Sequence, residues 1–304
     1  MAPKWLAARG LRACRSCFDT CLVTRMKGRA LALLTVAGLS ACGDPIRLEV
    51  VWDDCPEDID KIKPGACGCG ISEATCAPLL SALVHRYAFD GTGRTALDSV
   101  GDAHGVVVNA KLLGQGELVL QGGESDQYVD LPNGIVSVLS SATFEAWVVW
   151  NATMPAHWER IFDFGVSTLG ENQRSNGESY LFLAPEQMFR TAFRNLATGA
   201  EILIDSPLTF PVGEPTHVAV VVDPAAGELR LFLNAASQGV VTLPQPLSSV
   251  QDVNNWLGRS QFVADTSFGG SFREFRIYAA ALSEAELAAS FSLGESPHFL
   301  AAHR

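Results

Sequence analysis

The chain is short of positive charge. Against 33 Asp and Glu it carries 22 Lys and Arg, a net charge of −11. Residues 1–41 hold seven of the basic groups and one acidic group, so the remainder keeps 15 basic against 32 acidic groups, a net charge of −17. No basic stripe is left to meet a polyphosphate, which excludes nucleic acid as a partner. Long apolar runs are missing as well. The one near the start, Ala30 to Ala41, is too short to span a bilayer, which takes about 20 residues, and no later segment approaches that length. Two catalytic signatures are absent. The serines lie in no G-x-S-x-G elbow, and Gly91-Thr92-Gly93 is not followed by the G-x-x-x-x-G-K of a phosphate loop. His85 and His217 fall within or at the edge of strand-like runs and read as packing or edge residues.

What is there begins with a leader. ALALLTVAGLSA (30–41) has the length of a signal-peptide core, and Lys27 and Arg29 supply its positive flank. It closes in Leu39-Ser40-Ala41-Cys42, which resembles the lipobox of bacterial lipoproteins. The resemblance implies that Cys42 is acylated and becomes the first residue of the mature chain. Three acyl chains, at about 0.8 kcal/mol per buried methylene, hold essentially irreversibly. The rest can then be a soluble domain, touching the membrane through its lipid alone, in the bacterial cell envelope as an outer membrane lipoprotein. Cys14, Cys17 and Cys21 precede a second methionine, Met26, which would begin a well-proportioned signal peptide. The true start is expected there, and Cys14-x-x-Cys17, without partner ligands, is not read as a metal or redox site.

Residues 42–79 form a cysteine-rich neck containing Cys55, Cys67, Cys69 and Cys76. In an exported chain four close cysteines read as two disulfides. A bond between Cys67 and Cys69, one glycine apart, would be strained, which leaves 55–67 with 69–76 or 55–69 with 67–76. A Cys₄ zinc site is the alternative. The segments Cys55-Pro56-Glu57-Asp58 and Pro64-Gly65-Ala66-Cys67-Gly68-Cys69-Gly70 resemble the thrombospondin type 3-like linkers of bacterial surface proteins. The repeated aspartates that calcium loops need do not follow.

From residue 80 to 293 the pattern turns to short strand-like runs. They are LVHRYAF (83–89), ELVLQ (117–121), QYVDL (127–131), TFEAWVVW (143–150), RIFDF (160–164), SYLFL (179–183), MFRTAFR (188–194), EILI (201–204), HVAVVV (217–222), LRLFLN (229–234) and SFREFRIY (271–278). In TFEAWVVW both faces carry bulky residues, the mark of an inner strand covered on both sides. DPAAGE predicts a hairpin between HVAVVV and LRLFLN. Ser283-Glu284-Ala285-Glu286 has the spacing of a capping box and predicts a short C-terminal helix, with a tail over 294–304. The expected fold is all-β, a two-sheet antiparallel sandwich or jelly roll. The order of these runs resembles the bacterial branch of the laminin G-like, concanavalin A-like jelly rolls. The strongest likeness is Leu257-Gly258-Arg259-Ser260, Phe268-Gly269-Gly270, Glu274-Phe275-Arg276-Ile277-Tyr278 and Ala281-Leu282-Ser283. Two departures stand out: Asn234-Ala235 where relatives have Asn-Gly, and Arg273-Glu274 where they have Asp-Glu.

The resemblance implies a choice of functions. Some relatives by fold hydrolyse glycosides, and those glucanases resemble E-x-D-x-(x)-E. The nearest stretch here, Glu124-Ser125-Asp126-Gln127-Tyr128-Val129-Asp130, starts in a Gly-Gly turn and lacks the closing glutamate of a carboxyl pair. The expectation is therefore a non-catalytic binding or adhesion module, for a glycan or for an envelope or extracellular protein. A divergent glycoside hydrolase and a purely structural envelope domain are the alternatives. Laminin G-like domains often hold calcium at a sandwich edge, which implies Asp90, with Asp98 and Glu274 assisting. Asp90 reads equally as a turn former before Gly91. Rim loops supply the ligand-binding candidates: His157, Trp158, Asn176, Phe262 and Asp265. Trp158 reads as a packing residue or as a flat platform for a sugar ring, and Trp147, Trp150 and Trp256 read as packing.

Overall fold

Phe144, Ala146 and Val148 project from one side of the strand Ala142–Trp150, Glu145 and Trp147 from the other, and all five are buried. The computed structural model describes residues 54–65, 67–152, 157–186 and 188–295, so Cys14, Cys17, Cys21, Cys42 and the 296–304 part of the tail lie outside the described residues. The chain divides into two units, Met1–Glu73 and Ala74–Arg304.

In the second unit Ala142–Trp150 is central to a seven-stranded antiparallel sheet. Its order is Leu83–Tyr87, Ser267–Tyr278, Ala142–Trp150, Pro215–Asp223, Glu228–Leu233 and Ala236–Thr242, with Leu118–Gly123 pairing the first half of Ser267–Tyr278. An eight-stranded antiparallel sheet faces it, in the order Glu201–Asp205, Arg190–Arg194, Gly177–Ala184, Phe162–Ser167, Asn254–Leu257, Tyr128–Leu131, Gly105–Val108 and Thr95–Ala96. Thr92–Gly93 and Leu112–Leu113 form a small ribbon. This is the expected jelly-roll sandwich, and every run read as a strand contributes one. Between the sheets Phe144 packs on Phe162 and Phe164 with ring centroids 5.6 and 5.4 Å apart, and Phe275 meets Phe162 at 6.0 Å. Such tilted pairs add to the large area these rings bury.

The predicted hairpin joins Pro215–Asp223 to Glu228–Leu233, with Asp223 opposite Glu228 and Gly227 at φ 70. At the next turn Asn234 and Ala235 hold φ 49 and 61. Ala235 thus takes the left-handed conformation that glycine takes without steric cost.

The helix Glu284–Leu293 follows the last strand, capped by Ser283 and Glu286 in a capping box. It covers the outer face of the seven-stranded sheet. Ser290 donates to the buried carboxylate of Glu145 at 2.7 Å, and Phe291 packs on His217 at 5.4 Å. This is the second cover that TFEAWVVW requires.

In the cysteine-rich neck Cys55 is bonded to Cys69. Cys67 and Cys76 are disulfide-bonded as well, which is the pairing 55–69 with 67–76. No thiolate among these four is left for zinc, which corrects the Cys₄ alternative. Lys61 ties the loop, its Nζ donating to the carbonyls of Pro64 and Gly68 and to Glu73 Oε1 at 2.7 Å. The helix Glu73–Ala82, with Pro78 inside it, stands where the sequence reads only as the end of a cysteine-rich neck.

Candidate functional site

Cross-strand register sets Leu203, Ala192, Phe182, Asp163 and Trp256 in one row across the outer face of the eight-stranded sheet. Ala192 is the small member, and with Ala184, Tyr180 and Phe182 it forms an apolar cluster against which Trp158 and Phe262 pack. Beside the alanines opens a pocket of about 270 Å³. Its aromatic lining is Trp158, Phe182 and Phe262, and its charged lining Arg160, Arg190, Glu201 and Asp265.

Trp158 is half-buried and its backbone sits at φ 50, which costs a non-glycine residue about 1–2 kcal/mol. Its carbonyl accepts from Arg160 Nη1 at 2.6 Å. The guanidiniums of Arg160 and Arg190 lie 5.7 and 5.0 Å from its ring centroid, close enough for cation–π attraction.

Arg160 is the hub. It is buried and lies 4.0 Å over the ring of Phe182. Its Nη2 is 3.0 Å from Asp265 Oδ2 and its Nε 3.6 Å from Asp163 Oδ2. Asp163 has no exposed surface and accepts from the backbone N–H of Gln261 at 3.0 Å. Burial pushes its carboxyl up to about 7, against the pull of Arg160. Burial also raises Asp265, again opposed by Arg160. Arg190 grips Asp205 with both arms of its fork, at 2.5 and 2.8 Å, the bidentate geometry guanidinium favours. Glu201, exposed, accepts from the Tyr180 hydroxyl.

Trp158, Phe262 and Asp265, read from two separated loops, meet in this pocket. His157 is exposed beside it and is tied to the second loop, its carbonyl accepting from Thr266 N at 2.8 Å. Asn176 is exposed in the turn before Gly177–Ala184, its carbonyl accepting from Thr168 N, and does not line the pocket. Arg160, Phe182, Arg190 and Glu201 were missed. They lie in or beside strands, where Phe182 and Tyr180 on the outward side of SYLFL were the available signal that something covers that face.

The three carboxylates implied for calcium are placed otherwise. Asp98 is buried and accepts from His85 Nδ1 at 2.7 Å and from the backbone N–H groups of Arg86, Val100, Gly101 and Ala103. Burial alone would raise its pKa, but these donors outweigh it and hold the carboxyl well below its usual range. Glu274 is buried between Arg86, at 2.5 Å, and Arg276, at 2.8 Å. Asp90 is exposed. Among the described residues the three do not gather into one ligand cluster. The side chains of Asp98 and Glu274 are taken up by a loop of amides and by strand-to-strand ion pairing.

Glu159 is the other carboxyl that burial pushes up to about 7. It has no exposed surface, and its Oε2 accepts from Trp150 Nε1 at 2.6 Å and from Gly269 N at 3.1 Å. Trp147, Trp150 and Trp256 are all buried.

Residues 122–288 match the family described as the Concanavalin A-like lectin/glucanases superfamily. None of the curated proteins matches the chain. Among solved structures, domain 4 of an extracellular arabinanase from Geobacillus stearothermophilus, in complex with arabinotriose, is 19% identical with a TM-score of 0.50, over 68% of this chain and 97% of that one. A sialidase of Trypanosoma rangeli is 14% identical with a TM-score of 0.51, over 78% of this chain and 35% of that one. The ligand-binding domain of botulinum neurotoxin serotype D, in complex with N-acetylneuraminic acid, is 10% identical with a TM-score of 0.51, over 72% of this chain and 53% of that one. At these identities the likeness is one of fold.

Proposed function

Since the chain belongs to the concanavalin A-like lectin/glucanases superfamily, we propose that it is a non-catalytic carbohydrate-binding module, anchored to the bacterial envelope through Cys42. The observation that carries the reading is the pocket beside Trp158, where three aromatic rings stand next to four charged side chains on one sheet face. A sugar ring has apolar C–H faces and a polar hydroxyl edge, and such mixed lining meets both. The arabinanase domain bound to arabinotriose and the neurotoxin domain bound to N-acetylneuraminic acid make a glycan the natural class of ligand.

The non-catalytic part rests on where the raised carboxyls are. A general acid must reach the glycosidic oxygen, and the two carboxyls pushed up to about 7, Asp163 and Glu159, have no exposed surface, while Asp265, raised by burial at the pocket wall, is held by Arg160 and Ser260.

With the full chain, Trp158→Ala is expected to weaken glycan binding at least about tenfold in calorimetric titration while the thermal unfolding midpoint moves little, since the ring is half-exposed. Unchanged affinity would remove the pocket from the reading, and release of reducing sugar by the native protein would replace it with the hydrolase. The anchor is tested separately. Mass spectrometry of protein from the envelope is expected to find a chain beginning at an acylated Cys42, and an unmodified Met1 on exported protein would overturn it.

A further inference from the structure

Among the described residues the arginines around the pocket, Arg160, Arg174, Arg190 and Arg194, each hold a partner. Arg190 closes the Nε and Nη2 side of its fork on Asp205, so that one bidentate edge is taken and the charge it shows an incoming carboxylate is offset by Asp205. Arg160 is shared between Asp265, Asp163 and the carbonyl of Trp158. Arg174, behind the lining, donates Nη2 to the carbonyls of Phe262 and Val263 at 3.1 and 3.3 Å and to that of Asp265. Arg194 stands opposite Glu201 in the strand register and donates Nη1 to the carbonyl of Gly177.

The anions are placed differently. Glu201 is exposed at the pocket wall. Asp265 meets both Ser260 Oγ and Arg160 Nη2 at one oxygen, Oδ2, which leaves Oδ1 as the acceptor to offer. Two carboxylates thus line the pocket as acceptors, while the two lining arginines are paired with Asp205, Asp163 and Asp265. Hydroxyl groups donate to carboxylates and a second carboxylate is repelled by them. The chain's net charge of −11 adds to the repulsion.

Resting on the carbohydrate reading above, we propose that this pocket selects an uncharged sugar ring, its hydroxyls donating to Glu201 and Asp265, and discriminates against sugars that carry a carboxylate. The recognition elements are the rings of Trp158 and Phe262 for the C–H face and the two acidic side chains for the hydroxyl edge.

The test is calorimetric titration of the full chain at pH 7 with two sets of oligosaccharides. One set is uncharged trisaccharides of arabinose, glucose, galactose and mannose, and the other is trigalacturonic acid and sialyllactose. At least one uncharged trisaccharide is expected to bind about tenfold or more tighter than either acidic one. Asp265→Asn and, as a surface change that does not disturb the buried ion pairs, Glu201→Gln are each expected to narrow that ratio. An acidic sugar bound as tightly as the best uncharged one would overturn the selectivity and leave the carbohydrate reading standing. Binding of neither set would overturn the carbohydrate reading itself, and this inference with it.

Discussion

Replacing Arg160 by methionine is expected to lower stability by about 3–5 kcal/mol at pH 8, the usual cost of removing one partner from a buried ion pair. Methionine keeps an unbranched chain over Phe182 but removes the charge that links Asp163 and Asp265. At pH 8 Asp163, which titrates near 7 in the native protein, must then either hold its charge with no partnering guanidinium or take up a proton, and each costs stability. At pH 5 it is already protonated, so the deficit is expected to shrink. Urea unfolding of both proteins at the two pH values checks this. An equal loss at both would mean that Arg160 acts through packing on Phe182 alone.

The same group sets a sign for the native protein. A carboxyl whose folded pKa is raised keeps a proton that the unfolded chain, with Asp near 3.8, has released. Its contribution to stability is therefore fully present below about pH 4 and declines as pH rises to about 7. Asp163→Asn, measured beside Arg160→Met, should flatten that slope, because the amide keeps an acceptor for Gln261 N–H and carries no charge.

The inner strands were legible because burial on both faces leaves bulky residues at every position, as in TFEAWVVW and HVAVVV. Two of the missed strands lack that mark for opposite reasons. Ala236–Thr242 is an edge strand largely exposed, so its residues need not be apolar. Asn254–Leu257 is wholly buried yet begins with two asparagines, whose Nδ2 groups donate to Gly170 O and Gln261 Oε1 in one case and to Pro132 O in the other. Buried polar groups that find partners leave no periodic trace in a sequence. The pocket divided along the same line. Trp158, Phe262 and Asp265 sit in loops, where an aromatic or an acid invites a functional reading. Arg190 and Glu201 look like the ordinary outward positions of strands, and only the pairing of Arg190 with Asp205 and Arg194 with Glu201 brings them to one wall. For the carboxylates implied for calcium, the resemblance named residue types without their partners: Arg86 approaches Asp98 through its amide and Glu274 through its side chain.

Arg276→Met is expected to have an effect as large as Arg160→Met, on the opposite sheet. Arg276 is buried against Trp147, 4.2 Å from its ring, with Nε donating to Glu274 at 2.8 Å and Nη1 lying 3.8 Å from Glu145. It also holds the last turn of the helix Glu284–Leu293, through Ser290 Oγ at 3.2 Å and the carbonyl of Gly294 at 2.9 Å. Burial raises the Glu145 pKa, but His217, Arg276 and Ser290 outweigh it and the net shift is downward. A lowered carboxylate contributes stability that is present above its unfolded pKa near 4.5 and lost as pH falls through the folded value. Without Arg276 the desolvation of Glu145 gains on its remaining partners, so its protonated form is favoured. The loss should then be about 3–5 kcal/mol at pH 7 and smaller at pH 4. Adding Glu145→Gln should recover part of it, since glutamine keeps an acceptor for Ser290 and Tyr278 without the charge. Hydrogen exchange locates the change: amides of Glu284–Leu293 should exchange faster in Arg276→Met by a larger factor than those of Pro215–Asp223. A uniform increase in both would mean that the arginine supports the sandwich as a whole and does not fasten its C-terminal helix.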